Sequence, residues 1–226
     1  MTPEHPPTRV FIFAKAPTPG LVKTRLIPAL GAAGAARLAA VMLEHTVAQA
    51  LSAQAQHSGL IIELCVAPDP AEQCWQWVAK HPEISLSRQA TGDLGQRLYQ
   101  AAASATERGE RAMLIGTDCP GLTAPCLLEA AAALTRHDAV LCPTRDGGYA
   151  LLGLRSAPTS LFTGIPWSTE QVASITASRL REQHMRFATM RLLQDIDTPE
   201  DLAALPPAWQ GQLPALQRAL ARDQRA

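Results

Sequence analysis

The chain has 226 residues, of which 47% are hydrophobic and 18% charged, with 20 Lys plus Arg against 20 Asp plus Glu. That length suits one well-buried core and is short for two full domains, and the composition lies far from the disordered range. The charge balance excludes both the global basic field of a nucleic-acid binder and the excess of a polyanion mimic, so charge-driven binding is expected to be local and nucleic acid is not an expected partner.

The N-terminus lacks the basic-then-apolar pattern of a signal peptide, and no stretch is read as approaching the ~20 apolar residues that span a bilayer. A cytoplasmic location without membrane insertion is the expectation. Residues 9–14 (RVFIFA) are a short run of β-formers, as in a buried strand, and a loop containing Pro17, Pro19 and Gly20 follows. From Gly34 to about Ala53 the chain is alanine-rich without Pro or Gly inside, which predicts a helix against a sheet. The rhythm continues with a strand over 60–66, a helix over 70–80, a short strand over 84–87, a helix over 94–108, a strand over 111–115 and a helix over 124–134. This alternation predicts right-handed βαβ units and a mostly parallel sheet whose ligands lie beyond the carboxyl ends of the strands.

After Asp138 two closely spaced strands, 139–142 and 149–154, flank Gly147-Gly148, which makes the sheet mixed. A helix over 168–182, a strand over 186–193, a short helix over 199–205 and an amphipathic tail helix over 213–225 complete the order. The expected organisation is a single α/β domain over 1–226, with a core over about 9–205 and a helical tail over 206–226. Cys65, Cys74, Cys119, Cys126 and Cys142 contain no CxxC pair and read as reduced thiols.

Three segments carry the chemistry. Lys15, Lys23 and Arg25 put three cations in the loop after the first strand, a pattern that fits a phosphate cradle or a solvated basic loop. The loop is neither a Walker A motif nor a GxGxxG fingerprint. Thr117-Asp118 stands just past a buried strand, where a carboxylate suits Mg²⁺ or Mn²⁺ bridged to phosphate, or a plain turn. In 194–201 (QDIDTPED), alternation puts Asp195 and Asp197 on one side as candidate metal ligands, while Thr198 and Asp201 read as helix caps. Asp93-Leu94-Gly95-Gln96 and Ser168-Thr169-Glu170-Gln171 both match a capping box. Asp146-Gly147-Gly148-Tyr149 reads as a tight turn, or as a close backbone approach to ligand with Asp146 as base or anchor. His45 shares a helix face with Leu38, Val41 and Met42 and reads as structural. Neither GxSxG nor HExxH is present.

In order, 13–26 (FAKAPTPGLVKTRL), 92–98 (GDLGQRL), 116–121 (GTDCPG), 146–149 (DGGY), 166–169 (PWST) and 195–201 (DIDTPED) resemble the bacterial GT-A-fold glycosyltransferase-like family once grouped as DUF2064, of the arsenosugar-biosynthesis glycosyltransferase type. The resemblance spans about 9–205 and extends to molybdenum-cofactor and 2-phospho-lactate guanylyltransferases. It implies a three-layer α/β/α, Rossmann-like nucleotide-diphospho-sugar transferase fold and a nucleotide or nucleotide-sugar partner. Asp118 falls in the place of the metal-binding aspartate motif, with Mg²⁺ or Mn²⁺ as cofactor. Cys119-Pro120 stands where the usual Asp-x-Asp pair has its second acidic residue, so the second ligand must come from elsewhere, with Asp195 and Asp197 as the candidates.

On this reading Asp118, Lys23 and Asp146 are the catalytic candidates. Ala14, Lys15, Gly20, Lys23, Thr24 and Arg25 form one part of the nucleotide site, and Gly92, Asp93, Arg97 and Thr117 the other. Gly147, Gly148, Tyr149, Trp167 and Ser168 border a small-molecule acceptor. The implied activity is metal-dependent glycosyl transfer; the alternatives are nucleotidyl transfer onto a small phosphorylated substrate and an inactive nucleotide-binding protein.

Overall fold

A computed structural model describes residues 5–210, so the expected tail helix over 213–225 lies outside the described residues. The elements run β1 (Thr8–Lys15), α1 (Ile27–Gln56), β2 (Leu60–Ala67), β3 (Ile84–Arg88), α2 (Leu94–Glu107), β4 (Arg111–Ile115), α3 (Ala124–Ala133), β5 (Ala139–Pro143), β6 (Tyr149–Leu154), α4 (Val172–Glu182), β7 (Phe187–Thr189) and α5 (Pro207–Gln210). The seven strands form one sheet in the order β3-β2-β1-β4-β6-β5-β7. β1 pairs in parallel with β2 and β4, and β5 with β7, while β6 runs antiparallel to both neighbours.

Alternation along the strands builds the layers, because successive side chains leave a strand on opposite faces. Val10 and Ile12 pack with α1, α3 and Trp75 on one face. Phe11 and Phe13 meet α2, α4 and Phe162 on the other. The result is the expected α/β/α sandwich over a mixed sheet. α2 begins as the sequence predicts: Asp93 accepts from the Gln96 amide at 2.8 Å and the Gln96 side chain accepts from the Asp93 amide at 2.9 Å, closing a capping box.

Several expectations are corrected. Segment 73–80 is a 3₁₀ helix, anchored by buried Trp75 and Val78, and 199–204 is likewise 3₁₀. 3₁₀ turns are common as connectors, although these two runs are longer than usual. α4 starts only at Val172: Ser168 adopts left-handed backbone (φ 64°) and Thr169 Oγ1 donates to the Pro166 carbonyl, so no capping box forms there. β7 is three residues long, and the expected strand end survives as a single bridge between Thr144 and Leu193.

The expectation that no stretch approaches bilayer-spanning length is corrected as well. The helical stretch Thr24–Gln56 is long and apolar enough to cross a membrane by length and composition, with half of its most apolar window buried in the protein. Its alanines and leucines are spent on packing: Leu43, Val47, Ala50 and Ala53 join the sheet-facing core, and Leu30, Leu38 and Met42 pack with Ile196 and Leu205. Gly31 (φ 70°, ψ 167°) interrupts this helix.

Candidate functional site

The strand order reverses at β1, with β2 on one side and β4 on the other, and the loops that leave the carboxyl ends of β1 and β4 therefore diverge. Such a switch point opens a crevice. A cavity of ≈ 680 Å³ lies there, within the size range of small-molecule sites. Ala14, Lys15, Lys23, Thr24, Arg25, Arg97, Thr117 and Asp118 line it from β1, α2 and β4. Asp146, Gly148, Tyr149, Trp167, Ser168, Asp195 and Asp197 line it from the other half of the sheet.

The segment 193–197 is anchored to the end of β5 and to the loop after β4 through backbone bonds. Leu193 donates to the Pro143 carbonyl at 3.0 Å, and Ile196 donates to the Asp118 carbonyl at 2.9 Å. The second bond brings both Asp195 and Asp197 to the Asp118 loop, and both line the one cavity. The segment is irregular between its two anchors, so strand alternation does not place them, and the two carboxylates meet different partners there.

At one end of the cavity, charge is paired. Lys23 Nζ contacts Asp118 Oδ1 at 2.7 Å and Asp197 Oδ1 at 3.6 Å, and donates to the Ile196 carbonyl at 2.6 Å. Arg25 Nη1 donates to Asp197 Oδ2 at 2.7 Å. The Lys23 side chain is only 6% exposed, while Asp118 stays 55% exposed to the cavity. Two carboxylates from different strand ends thus converge on one cation. Such hard oxygen donors fit Mg²⁺ or Mn²⁺. Among the described residues no group of three His, Cys, Asp or Glu side chains gathers around one point.

At the other end, charge is strained. Asp195 is 9% exposed, and its Oδ1 has no partner among the described residues. Burial, then the neighbouring Asp146 carboxylate, pushes its pKa up to about 6. Asp146 is held by Thr144 Oγ1 at 2.5 Å and by the Gly148 amide at 2.9 Å. The Tyr149 hydroxyl is buried without a partner among the described residues, and burial raises its pKa. The Cys119 thiol is held neutral by burial, with Asp118 and Asp195 adding to the effect.

Four nominated residues sit outside the cavity lining. Asp93 is engaged in its capping box, and Gly92 (φ 104°) bends the chain so closely that a Cβ there would meet Gln96 Oε1 at 2.0 Å. Gly147 (φ 86°) is pressed against the Glu170 backbone, where a Cβ would fall 2.1 Å from the carbonyl oxygen, so its role is to let two loops touch. Gly20 turns the basic loop in open space.

Gln89 was not nominated by its sequence and proves central to the wall: Nε2 donates to the carbonyls of Ala14 and Cys65, both at 3.0 Å, tying β1 to β2. Its one sequence signal is its place just after a strand. Leu21 and Leu94 are exposed on the same lining, and no motif in the sequence marks them. His45, read as structural, contacts the Pro120 carbonyl at 3.0 Å and thereby braces the Asp118 loop.

A three-layer α/β/α arrangement around one mixed sheet, with its cavity at the switch point, is a Rossmann-like fold shared with nucleotide-diphospho-sugar transferases. The family model described as "Uncharacterized protein conserved in bacteria (DUF2064)" matches residues 47–169, and the chain belongs to that family. The chain is similar to a Desulfovibrio desulfuricans G20 structure provisionally described as a nucleotide-diphospho-sugar transferase, with 29% identity over 94% of each chain and a TM-score of 0.78. More distantly it shares the fold of a CMP:2-keto-3-deoxy-manno-octonic acid synthetase complexed with CTP, at 12% identity over 96% of this chain and 99% of that one, TM-score 0.53. A cytidylyltransferase from Leptospira borgpetersenii is similar at 14% identity over 98% and 96%, TM-score 0.55. No curated protein matches significantly.

Proposed function

We propose that the chain is a metal-dependent transferase that takes a sugar from a nucleotide-diphospho-sugar and passes it to a small-molecule acceptor. The observation that carries this reading is the convergence of Asp118 and Asp197 on one cation position at the switch point, beside a loop that adds Lys15 and Arg25. Asp118 and Asp197 would hold Mg²⁺ or Mn²⁺, with substrate phosphate oxygens and water completing its shell. Bound there, the ion would neutralise charge on the diphosphate leaving group.

The chain's own residues do the rest. Lys15, Arg25 and Arg97 offer charged donors to phosphate oxygens along one wall of the crevice. Asp146, Tyr149, Trp167 and Ser168 border the opposite side and orient the acceptor. Asp195 faces Asp146, and its raised pKa of about 6 brings its proton exchange close to neutral pH on that side.

Nucleotidyl transfer is the second reading, favoured by the number of cations on the lining: Lys15, Arg25 and Arg97 together suit a triphosphate as well as a diphosphate. A thermal-shift panel of NTPs, NDPs and NDP-sugars with and without Mn²⁺ tests both. A ligand at about 100 times its Kd adds roughly 2.7 kcal/mol of stability. Release of NDP from a sugar nucleotide supports the first reading, and release of pyrophosphate from an NTP supports the second. Stabilisation without turnover of either kind marks a nucleotide-binding protein that has lost the chemistry, and no stabilisation by any nucleotide sinks all three.

A further inference from the structure

Lys23 lies on the wall of the cavity where phosphates are expected, yet its ammonium is already engaged. Two of its protons go to Asp118 Oδ1 at 2.7 Å and the Ile196 carbonyl at 2.6 Å, and the third side faces Asp197 Oδ1 at 3.6 Å. Nothing remains for a ligand. The position it fills, between the two carboxylates, is the one that a divalent cation would need.

The loop that carries Lys23 has the makings of a movable element. Lys23 itself adopts left-handed backbone (φ 47°, ψ 42°), a conformation that L side chains other than Asn and Asp rarely hold unless other contacts impose it. Here the ion pairs of its side chain and the bond from the Leu26 amide to its carbonyl both hold it. Gly20 (φ 79°) supplies a second unusual turn with open space around it, and Leu21 stands 72% exposed at the cavity mouth, an apolar side chain with nothing to cover.

We propose that Lys23 is a stand-in cation: it neutralises Asp118 and Asp197 while the site is empty, is displaced when a divalent ion binds them, and then turns its ammonium to the phosphates of the incoming nucleotide. The charges favour this sequence. Asp118 and Asp197 carry two negative charges, which Lys23 and Arg25 match. A divalent ion in the place of Lys23 leaves excess positive charge in the crevice, and a nucleotide diphosphate absorbs it. Metal and nucleotide therefore strengthen one another's binding, and Lys23 weakens metal binding until a nucleotide is present. The inference rests on the metal-dependent nucleotide reading above and adds an order of events to it.

The full chain contains three lysines, Lys15, Lys23 and Lys80, so amine acetylation followed by peptide mass spectrometry reports on Lys23 directly, with exposed Lys80 as internal control. In EDTA, Lys23 should be protected relative to Lys80. Saturating Mn²⁺, verified by calorimetry, should raise its labelling several-fold, and Mn²⁺ with UDP or GDP should lower it again. Lys23→Gln should bind Mn²⁺ about tenfold more tightly than the wild type without nucleotide.

If Mn²⁺ binds but Lys23 labelling is the same with and without it, the exchange is wrong while the metal site stands. Unchanged or weaker Mn²⁺ binding by a cooperatively unfolding Lys23→Gln also overturns it. If calorimetry detects no Mn²⁺ binding with or without UDP or GDP, the metal-dependent reading fails first and takes the exchange with it.

Discussion

The two ends of the cavity solve opposite electrostatic problems. Around Asp118 and Asp197, two carboxylates meet two cations and every close charge is matched. Around Asp195 and Asp146, two carboxylates approach one another with no cation among the described residues acting on Asp195, and one answers by holding its proton more tightly. The matched end has the make-up of a place where charge is exchanged for a ligand's charge. The unmatched end has the make-up of a place where a carboxyl exchanges its proton closer to neutral pH, which a fold tolerates only as a local cost in stability.

Variants on each side should separate these descriptions. The largest effect is expected for Asp118→Asn: metal-dependent transfer should fall by about 10²- to 10³-fold, as when one charge-stabilising group is removed from a transition state, with the melting temperature in EDTA near that of the wild type. An unchanged rate would reassign Asp118 to a simple turn.

Asp195→Asn probes the unmatched end. A carboxyl whose pKa rises on folding, here from 3.8 to about 6, binds its proton more tightly in the native state than in the unfolded one. Its ionisation therefore weakens the fold as pH rises through that window, and acidification to about pH 4 relieves the loss. In EDTA the variant should be more stable than the wild type at pH 7 to 8, by at most about 3 kcal/mol, and the gain should vanish near pH 4. Denaturant melts at both pH values measure this, and a pH-independent difference would show that Asp195 is unstrained.

Smaller effects follow. Tyr149→Phe removes a buried hydroxyl that has no partner among the described residues, so it should leave stability unchanged or raise it by about 1 kcal/mol; a marked loss would reveal a hidden partner. Arg25→Ala breaks a pair whose arginine is 66% exposed, and chemical denaturation should register less than about 1 kcal/mol.

Much of the fold was legible because its signals are local. β1, β2, β4, β5 and β6 announce themselves as short apolar runs of β-formers, and the Asp93 capping box is written in four consecutive residues. The elements misjudged depend on surroundings. The segment before His81 tightens to 3₁₀ around one buried tryptophan, and Ser168 leaves the helical region where Glu170 must press against Gly147. The same division holds in the site. That Asp118 ends a buried strand is visible along the chain, whereas the distinct surroundings of Asp195 and Asp197 depend on one backbone bond from Ile196 to the Asp118 carbonyl.

By itself the sequence determined the alternation of strands and helices, the placing of a carboxylate and a basic loop at strand ends, and the family resemblance carried by six ordered motifs. Periodicity, caps and turn residues act within a few positions and need no partner to be read. Only the tertiary structure decided that Lys23 sits between Asp118 and Asp197, that Asp195 is buried beside Asp146, and that Gly92 and Gly147 serve close packing. Those outcomes depend on distances between residues remote in the chain, set by strand order and by which charges the fold leaves unmatched.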